Sequence, residues 1–261
     1  MMDRIKVDLV MWTHNSEQNL QRVLKKIQEV VPEHNVNRKI ITDDHSTDKT
    51  RKIADELDWE VHPNNGKGLK DNIATAISLV SSPYFCSFEH DIVLASDWWT
   101  KISEHIKDQT VAVAQGVRTS TNPSFNLIDT IYNNRMDVQH ESLDNNIVKT
   151  EIVRQLGYNE VGTPPKLKKD GLKWVVDQTV VSGHIRDSMW ENAKHDYKMN
   201  SLFPSSSKKN LKILLTSPAR SAHIAYKSKH PTVLVAYPVD RLGIFVASLK
   251  NKQRSSSGES S

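Results

Sequence analysis

At 261 residues the chain is long enough to bury a sizeable core, and its length fits one large α/β domain or a domain with an appended lobe, the single domain being the simpler reading. Thirty-five Lys and Arg against 31 Asp and Glu give a formal charge of +4, too small and too dispersed to imply a nucleic-acid stripe, whereas an anionic substrate or membrane headgroups would suit it equally. A single cysteine, Cys86, excludes a disulfide framework and points to a reducing, cytoplasmic compartment.

The opening MMDRIKVDLVMWTHN is too polar for a signal peptide. Val7, Leu9, Val10 and Met11 predict a first strand, and Leu20, Val23, Leu24, Ile27, Val30 and Val31 then recur at helical spacing up to Pro32. The plan repeats with a strand over 39–42, an acidic loop, and a helix from about 47 that turns Ile53, Ala54 and Leu57 inward, with Ser46 as its cap. A third strand over 59–61 leads into the loop HPNNGKG and a helix carrying Leu69, Ile73, Ala76, Ile77 and Val80. Residues 84–88 make a fourth strand, with Cys86 reading as a packed structural thiol inside it. Trp98, Trp99, Ile102 and Ile106 mark the next helix, and 111–114 a fifth strand. Strands alternating with helices at this rhythm predict an α/β fold, a mostly parallel sheet with helices on both faces.

From about Gly116 the pattern loosens into polar stretches such as RTSTNPSFN and the basic loop VGTPPKLKKDG. Loops this long in a compact domain are usually functional. Helices over 149–156 and 179–195 and a strand over 211–215 are expected in this half, and QRSSSGESS reads as a disordered tail. The apolar stretch 232–249 is broken by Asp240 and Arg241 and does not read as a membrane span.

Two acidic clusters, DDHSTD (43–48) and EHD (89–91), fall where predicted buried strands end. That edge is where open α/β sheets bind ligands, and carboxylates gathered there are costly unless they hold a cation or accept hydrogen bonds. The chain therefore reads as built to hold a charged molecule through a metal. Glu89 and Asp91 are two residues apart and point the same way if extended, as bridging to a divalent ion requires, with His90 on the other side. Thr13 and Asn15 end the first strand; Asp43 and Asp44 end the second, where a carboxylate can accept from a base N–H or a ribose hydroxyl. Asn64, Gly66, Lys67 and Gly68 form a small-residue loop before a helix, where Lys67 can face phosphate. Each cluster also has a plainer reading: turn and cap chemistry for Asp43, Asp44 and Asp48, a polar strand end for Glu89 and Asp91, a solvated lysine for Lys67.

Taken together, THNSEQNL (13–20), DDHSTDKT (43–50), NNGKGLKDN (64–72) and EHDIVLASDWW (89–99) resemble, in order and spacing, the successive blocks of the family 2 glycosyltransferases, which have the GT-A fold. The resemblance implies a hexosyltransferase-like enzyme that moves a sugar with inversion from a UDP- or GDP-sugar to a glycan, lipid-linked or small-molecule acceptor, assisted by Mn2+ or Mg2+. It implies a single domain over 1–250, with a nucleotide-binding half (1–116) and an acceptor half (117–250), followed by a polar tail (251–261). In that picture Thr13, Asn15, Asp43, Asp44, Lys67 and Glu89 hold the nucleotide sugar. Asp91 binds the metal at the position of the family's DxD motif, Glu89 standing where its first acid would be. LKWVVDQTVV resembles the later acidic block, making Asp177 the candidate base toward the acceptor, and His223 is by chain order the candidate further metal ligand. Both have plain alternatives, a helix cap for Asp177 and an ordinary surface histidine for His223.

Trp98 and Trp99 divide between core packing and a lip over the donor, and Trp174 is the candidate acceptor platform. The PPKLKK loop reads as a solvated basic loop or as a contact to donor phosphates or an anionic lipid carrier, so peripheral membrane contact stays open. No QxxRW signature is present, which favours transfer of one sugar at a time. Two rivals remain: a catalytically inactive binding module of the same fold, prompted by Glu89 and Val176, and a sugar-nucleotide pyrophosphorylase, disfavoured because THNSEQN lacks glycine. A dinucleotide-dependent dehydrogenase is disfavoured by the absence of GxGxxG after the first strand.

Overall fold

The computed structural model describes residues 5–122, 124, 143–157, 167–185, 193–194, 196–197, 200 and 206–257, with side chains as far as 250. The chain divides into two compact units, 1–119 with 136–185, and 120–135 with 186–261.

The first unit is an α/β layer structure around a sheet with eight strands among the described residues. Its strands are β1 (Val7–Thr13), β2 (Val36–Asp43), β3 (Glu60–Pro63), β4 (Tyr84–Phe88), β5 (Ile92–Val93), β6 (Val111–Ser120), β7 (Asn145–Lys149) and β8 (Lys173–His184), in the order β3-β2-β1-β4-β7-β6-β8-β5. β3, β2, β1 and β4 are parallel neighbours, β7 is antiparallel to β4 and β6, and β5 pairs antiparallel with the end of β8.

Every residue of β1 is buried, as a central strand covered on both faces requires. Alternate side chains feed opposite layers. Val7, Leu9 and Met11 pack with Leu20, Val23, Leu24 and Ile27 of α1 (Glu17–Val30) and with Trp98 and Ile102 of α4 (Trp98–His105). Val10 and Trp12 pack with Ile73, Ala76 and Ile77 of α3 (Gly68–Leu79) and Val153 of α5 (Thr150–Leu156). Each fully buried aliphatic side chain contributes about 2 kcal/mol relative to exposure, so these two layers clamp the sheet between them. Cys86 lies inside, fully buried, and burial pushes its thiol well above the usual value, leaving it inert.

Three local expectations are corrected. α2 runs Thr50–Asp55, and Ser46 does not cap it: the Ser46 hydroxyl donates to Asp43 Oδ1 (2.5 Å) instead. The segment expected as a helix over 179–195 is the second half of β8 as far as His184. Val180, Ser182 and His184 are buried there while Thr179 and Val181 are exposed, a period of two that β-branched residues favour. The expected strand over 211–215 lies within a long helix, α6 (Ser207–Ser228), because a short apolar run is ambiguous until its flanks are read. Here Ser206 supplies the cap, accepting from Lys209 N (3.5 Å).

In the second unit α6 packs against α7 (Val233–Ser257), with Ile224, Val233, Ala236 and Tyr237 forming a small core. Lys229 turns the chain between them with φ +59°.

Candidate active site

The tips of β1, β2 and β4 share one edge of the sheet. Met11 pairs with Phe88 and Thr13 with Asp43, so Asp43, Asp44 and the EHD turn after Phe88 emerge at one level. β2 and β4 flank β1, two strand spacings or about 10 Å apart. The acidic clusters separated in the sequence are therefore gathered around the end of β1.

Asp43 is consumed by the scaffold. Its Oδ1 accepts from Thr13 Oγ1 (3.1 Å) and Ser46 Oγ (2.5 Å), and its Oδ2 from Ser46 N (3.0 Å) and Arg51 Nε (2.6 Å). Burial raises the carboxyl's pKa, but the bonds from Ser46, Arg51 and Thr13 outweigh it and hold it below its ordinary range. All lone pairs are filled, so Asp43 orders the loop and has none left for a nucleoside. Thr13 is likewise committed, its carbonyl accepting from Asp44 N (2.9 Å) and Asn72 Nδ2 (3.1 Å).

Asn15, at φ +49°, pins the same loop: its N donates to Ser46 Oγ (2.8 Å) and its Oδ1 accepts from Thr47 N (2.9 Å). Asp44 carries the order onward. Its Oδ1 accepts from Asn64 Nδ2 (2.8 Å) and its Oδ2 from Gly68 N (3.0 Å), joining the tip of β2 to the loop before α3. Lys67 in that loop is exposed, its N donating to Asp71 Oδ2 (2.9 Å) while its ammonium has no partner among the described residues.

The EHD segment turns instead of running extended, closed by Ile92 N on Glu89 O (3.3 Å). Glu89 and Asp91 take different partners among the described residues. Glu89 accepts from Arg118 Nη1 (3.1 Å), and the same guanidinium pairs with the buried Asp144 just before β7. Asp91 Oδ2 accepts from His184 Nε2 at 3.1 Å. Burial raises the Asp91 pKa, but that bond and the charges of His184, His90 and Arg118 hold it well below the ordinary carboxylate range. Its other oxygen, Oδ1, is buried without a hydrogen-bond partner among the described residues.

A buried, ionised oxygen with no donor is costly unless a cation meets it. Among the described residues no group of three acidic, His or Cys side chains stands ready for a metal. Asp91 and His184 alone fit an ion that takes one or two protein ligands and completes its shell with phosphate oxygens and water.

Asp177 is expected just before a helix, and that placement is corrected. It lies within β8, not before a helix, accepting from His105 Nε2 (2.9 Å) and from Thr179 N (2.9 Å) and Oγ1 (2.7 Å). Lys173 N donates to Thr110 O (2.8 Å) and Gly116 lies against Val180, so β8 runs alongside β6 in the same direction. Asp177 thus stands level with the middle of the sheet. Seven residues of extended chain, about 23 Å, separate it from His184. Trp174, further back in β8, donates to Gln115 Oε1 (2.8 Å) and is no platform at this edge, and Trp98 and Trp99 are both buried in the core. His223 is on an exposed position of α6, so the strand that placed it in the metal reading does not exist.

His184 is the residue that sequence reading missed. The expected helix hid it; the alternation of buried positions from Val180 to His184 was the signal available. A cleft of about 400 Å³ lined by Ser82, Pro83, Thr150 and Arg154 opens at the other end of β4 and does not include these carboxylates.

The sequence matches the profile described as Glycosyl transferase family 2 over residues 8–164. No curated protein matches it. Among solved structures, the mannosyltransferase PcManGT from Pyrobaculum calidifontis, in complex with GDP-Man and Mn2+, is similar at 15% identity and TM-score 0.57, over 99% of this chain and 77% of that one. Glucosyl-3-phosphoglycerate synthase from Mycobacterium tuberculosis, with Mn2+, UDP and glucosyl-3-phosphoglycerate, is similar at 15% identity and TM-score 0.52, over 72% and 74%. S. aureus TarS 1-349 is similar at 11% identity and TM-score 0.53, over 95% and 92%. At these identities the likeness concerns fold, and the fold is GT-A.

Proposed function

The chain belongs to glycosyl transferase family 2, and on that footing we propose that it moves a single sugar from a UDP- or GDP-sugar to an acceptor hydroxyl with inversion, aided by Mn2+ or Mg2+. The observation that carries the reading is the convergence of Asp44 and Asp91 at one sheet edge, with Asp91 Oδ1 buried and unpartnered among the described residues.

Asp91 and His184 would hold the divalent ion, which would supply positive charge for the departing diphosphate. His184 fixes the orientation of the Asp91 carboxylate. The loop from Asn64 to Gly68, tied to Asp44, lines the nucleotide's side of the edge, and Lys67 supplies a cation for phosphate. One displacement opposite the leaving group gives inversion. The neighbours with GDP-Man or UDP support both donor classes, and the acceptor is a glycan, a lipid-linked sugar or a small molecule.

Thermal-shift measurements with UDP- and GDP-sugars, with and without Mn2+, test this reading. Stabilisation requiring both nucleotide and metal supports it. Equal stabilisation without metal removes the ion, and no shift with any nucleotide sugar removes the function. Hydrolysis of the stabilising donor then separates an enzyme from an inactive binding module.

A further inference from the structure

The basic charge of this chain is gathered, not dispersed as composition alone suggested. Residues 206–257, which hold α6 and α7, contain ten Lys or Arg and one acid, Asp240, a balance of +9; the chain as a whole is +4, so the remainder is −5. Asp240 is buried beside Arg241 (2.5 Å) and presents no negative charge to solvent.

α7 also carries a row of exposed aliphatic side chains. Val235, Val239, Leu242, Val246 and Leu249 follow at steps of four, three, four and three, which keeps them on one face of a helix. Their exposure runs from 36% at Val246 to 59% at Val235. Ala236, Tyr237, Ile244 and Ala247 occupy the opposite, buried face. The row is about 21 Å long. Exposed lysines stand at its two ends in the chain, Lys227 and Lys229 before it and Lys250, whose ammonium also donates to Tyr197 Oη (2.9 Å), directly after it.

We propose that this face of α7 lies in the headgroup layer of an anionic lipid bilayer, its aliphatic row inserted and its lysines on lipid phosphates. Three occupants could cover such a face, and the observations separate them. A nucleic acid would meet the lysines but leaves five exposed aliphatic side chains unused. A second copy would cover the aliphatic row but brings +9 against +9. An anionic bilayer satisfies both at once, an apolar interior beneath a negative surface. The helix lies on the membrane and does not cross it: no helix among the described residues is long and apolar enough to span.

Flotation of the full chain with phosphatidylcholine vesicles, with and without phosphatidylglycerol, reads this directly and needs no sugar-transfer assay. We expect partitioning at least about tenfold stronger onto the anionic vesicles, weakened by added salt. The double variant Leu242→Asp with Val246→Asp lowers it about tenfold or more while circular dichroism and Tm stay near wild type. Both positions are exposed, so folding tolerates the change; should it not, Lys227→Glu with Lys229→Glu reads the electrostatic half alone. Equal partitioning onto both vesicle types, or none, overturns the proposal. So does full vesicle binding by a folded double-Asp variant, a dimer in sedimentation that this variant dissolves without any vesicle binding, or capture by RNA in place of lipid.

Discussion

Asp91 Oδ2 and His184 Nε2 lie 3.1 Å apart although 93 residues separate them in the chain. The contact is made by backbone pairing: the short β5 after the EHD turn runs antiparallel to the end of β8, with Ile92 opposite His184. One carboxylate oxygen is thereby held by an imidazole while the other is left buried without a donor among the described residues. The first expected outcome follows from this pair. Asp91→Asn and His184→Ala should each weaken Mn2+-dependent UDP or GDP binding by about 10- to 100-fold, the usual effect of losing a ligand or its orienting partner. Titration calorimetry with and without Mn2+ measures it, and unchanged affinity in both variants places the ion elsewhere.

Asp177→Asn should leave donor turnover within about threefold of wild type. The carboxylate is held by His105 and Thr179 in the middle of β8, about 23 Å of strand from the site. Steady-state rates on purified protein test this. Abolished turnover at an unchanged Tm would return Asp177 to the chemistry.

Arg118 stands between Glu89 and the buried Asp144. Arg118→Met leaves the buried Asp144 without its guanidinium partner, and breaking a buried ion pair by removing one member costs about 3 to 5 kcal/mol. Chemical denaturation should show that loss for the single variant and a smaller one for Arg118→Met combined with Asp144→Asn. Equal losses in both would mean the ion pair carries little of the effect.

Asp8 predicts a pH dependence. It is fully buried at the start of β1 and accepts from Ser81 N (2.6 Å), Ser82 N (3.0 Å), Ser82 Oγ (2.8 Å) and Asn37 Nδ2 (2.9 Å). Burial raises its pKa, but these bonds outweigh burial and set it below the ordinary value. A carboxyl whose folded pKa is depressed contributes stability that is present above the unfolded value of about 3.9 and lost as pH falls through the folded value. Asp8→Asn should therefore be destabilised at neutral pH, by about 2 kcal/mol for the broken charged bonds, and lose less than wild type on acidification below about pH 4. Urea unfolding at neutral and acid pH reads both; parallel pH curves for the two proteins would assign the acid sensitivity to other carboxylates.

Much of the first unit was legible in the linear chain, because its information is local. Val7, Leu9, Val10 and Met11 announce a buried strand, Leu20 to Ile27 a one-faced helix, and the acidic clusters fall at strand tips whatever those strands pair with. Apolar periodicity over a few residues decides such elements, so the order of strands and helices up to β6, the two-residue β5 excepted, and the sheet edge that gathers the acidic clusters could be read from the sequence. What tertiary structure decided is which groups at that edge are free and which are spent. Asp43 looks like a ligand in the sequence, yet Thr13, Ser46 and Arg51 fill every lone pair it has. His184 looks like nothing, yet sheet pairing carries it to Asp91. Short runs such as 179–184 and 211–215 satisfy strand and helix patterns about equally, and only the neighbours that bury one face choose between them. Propensity is a property of a segment, whereas the valence of a carboxylate is settled by atoms that distant parts of the chain deliver.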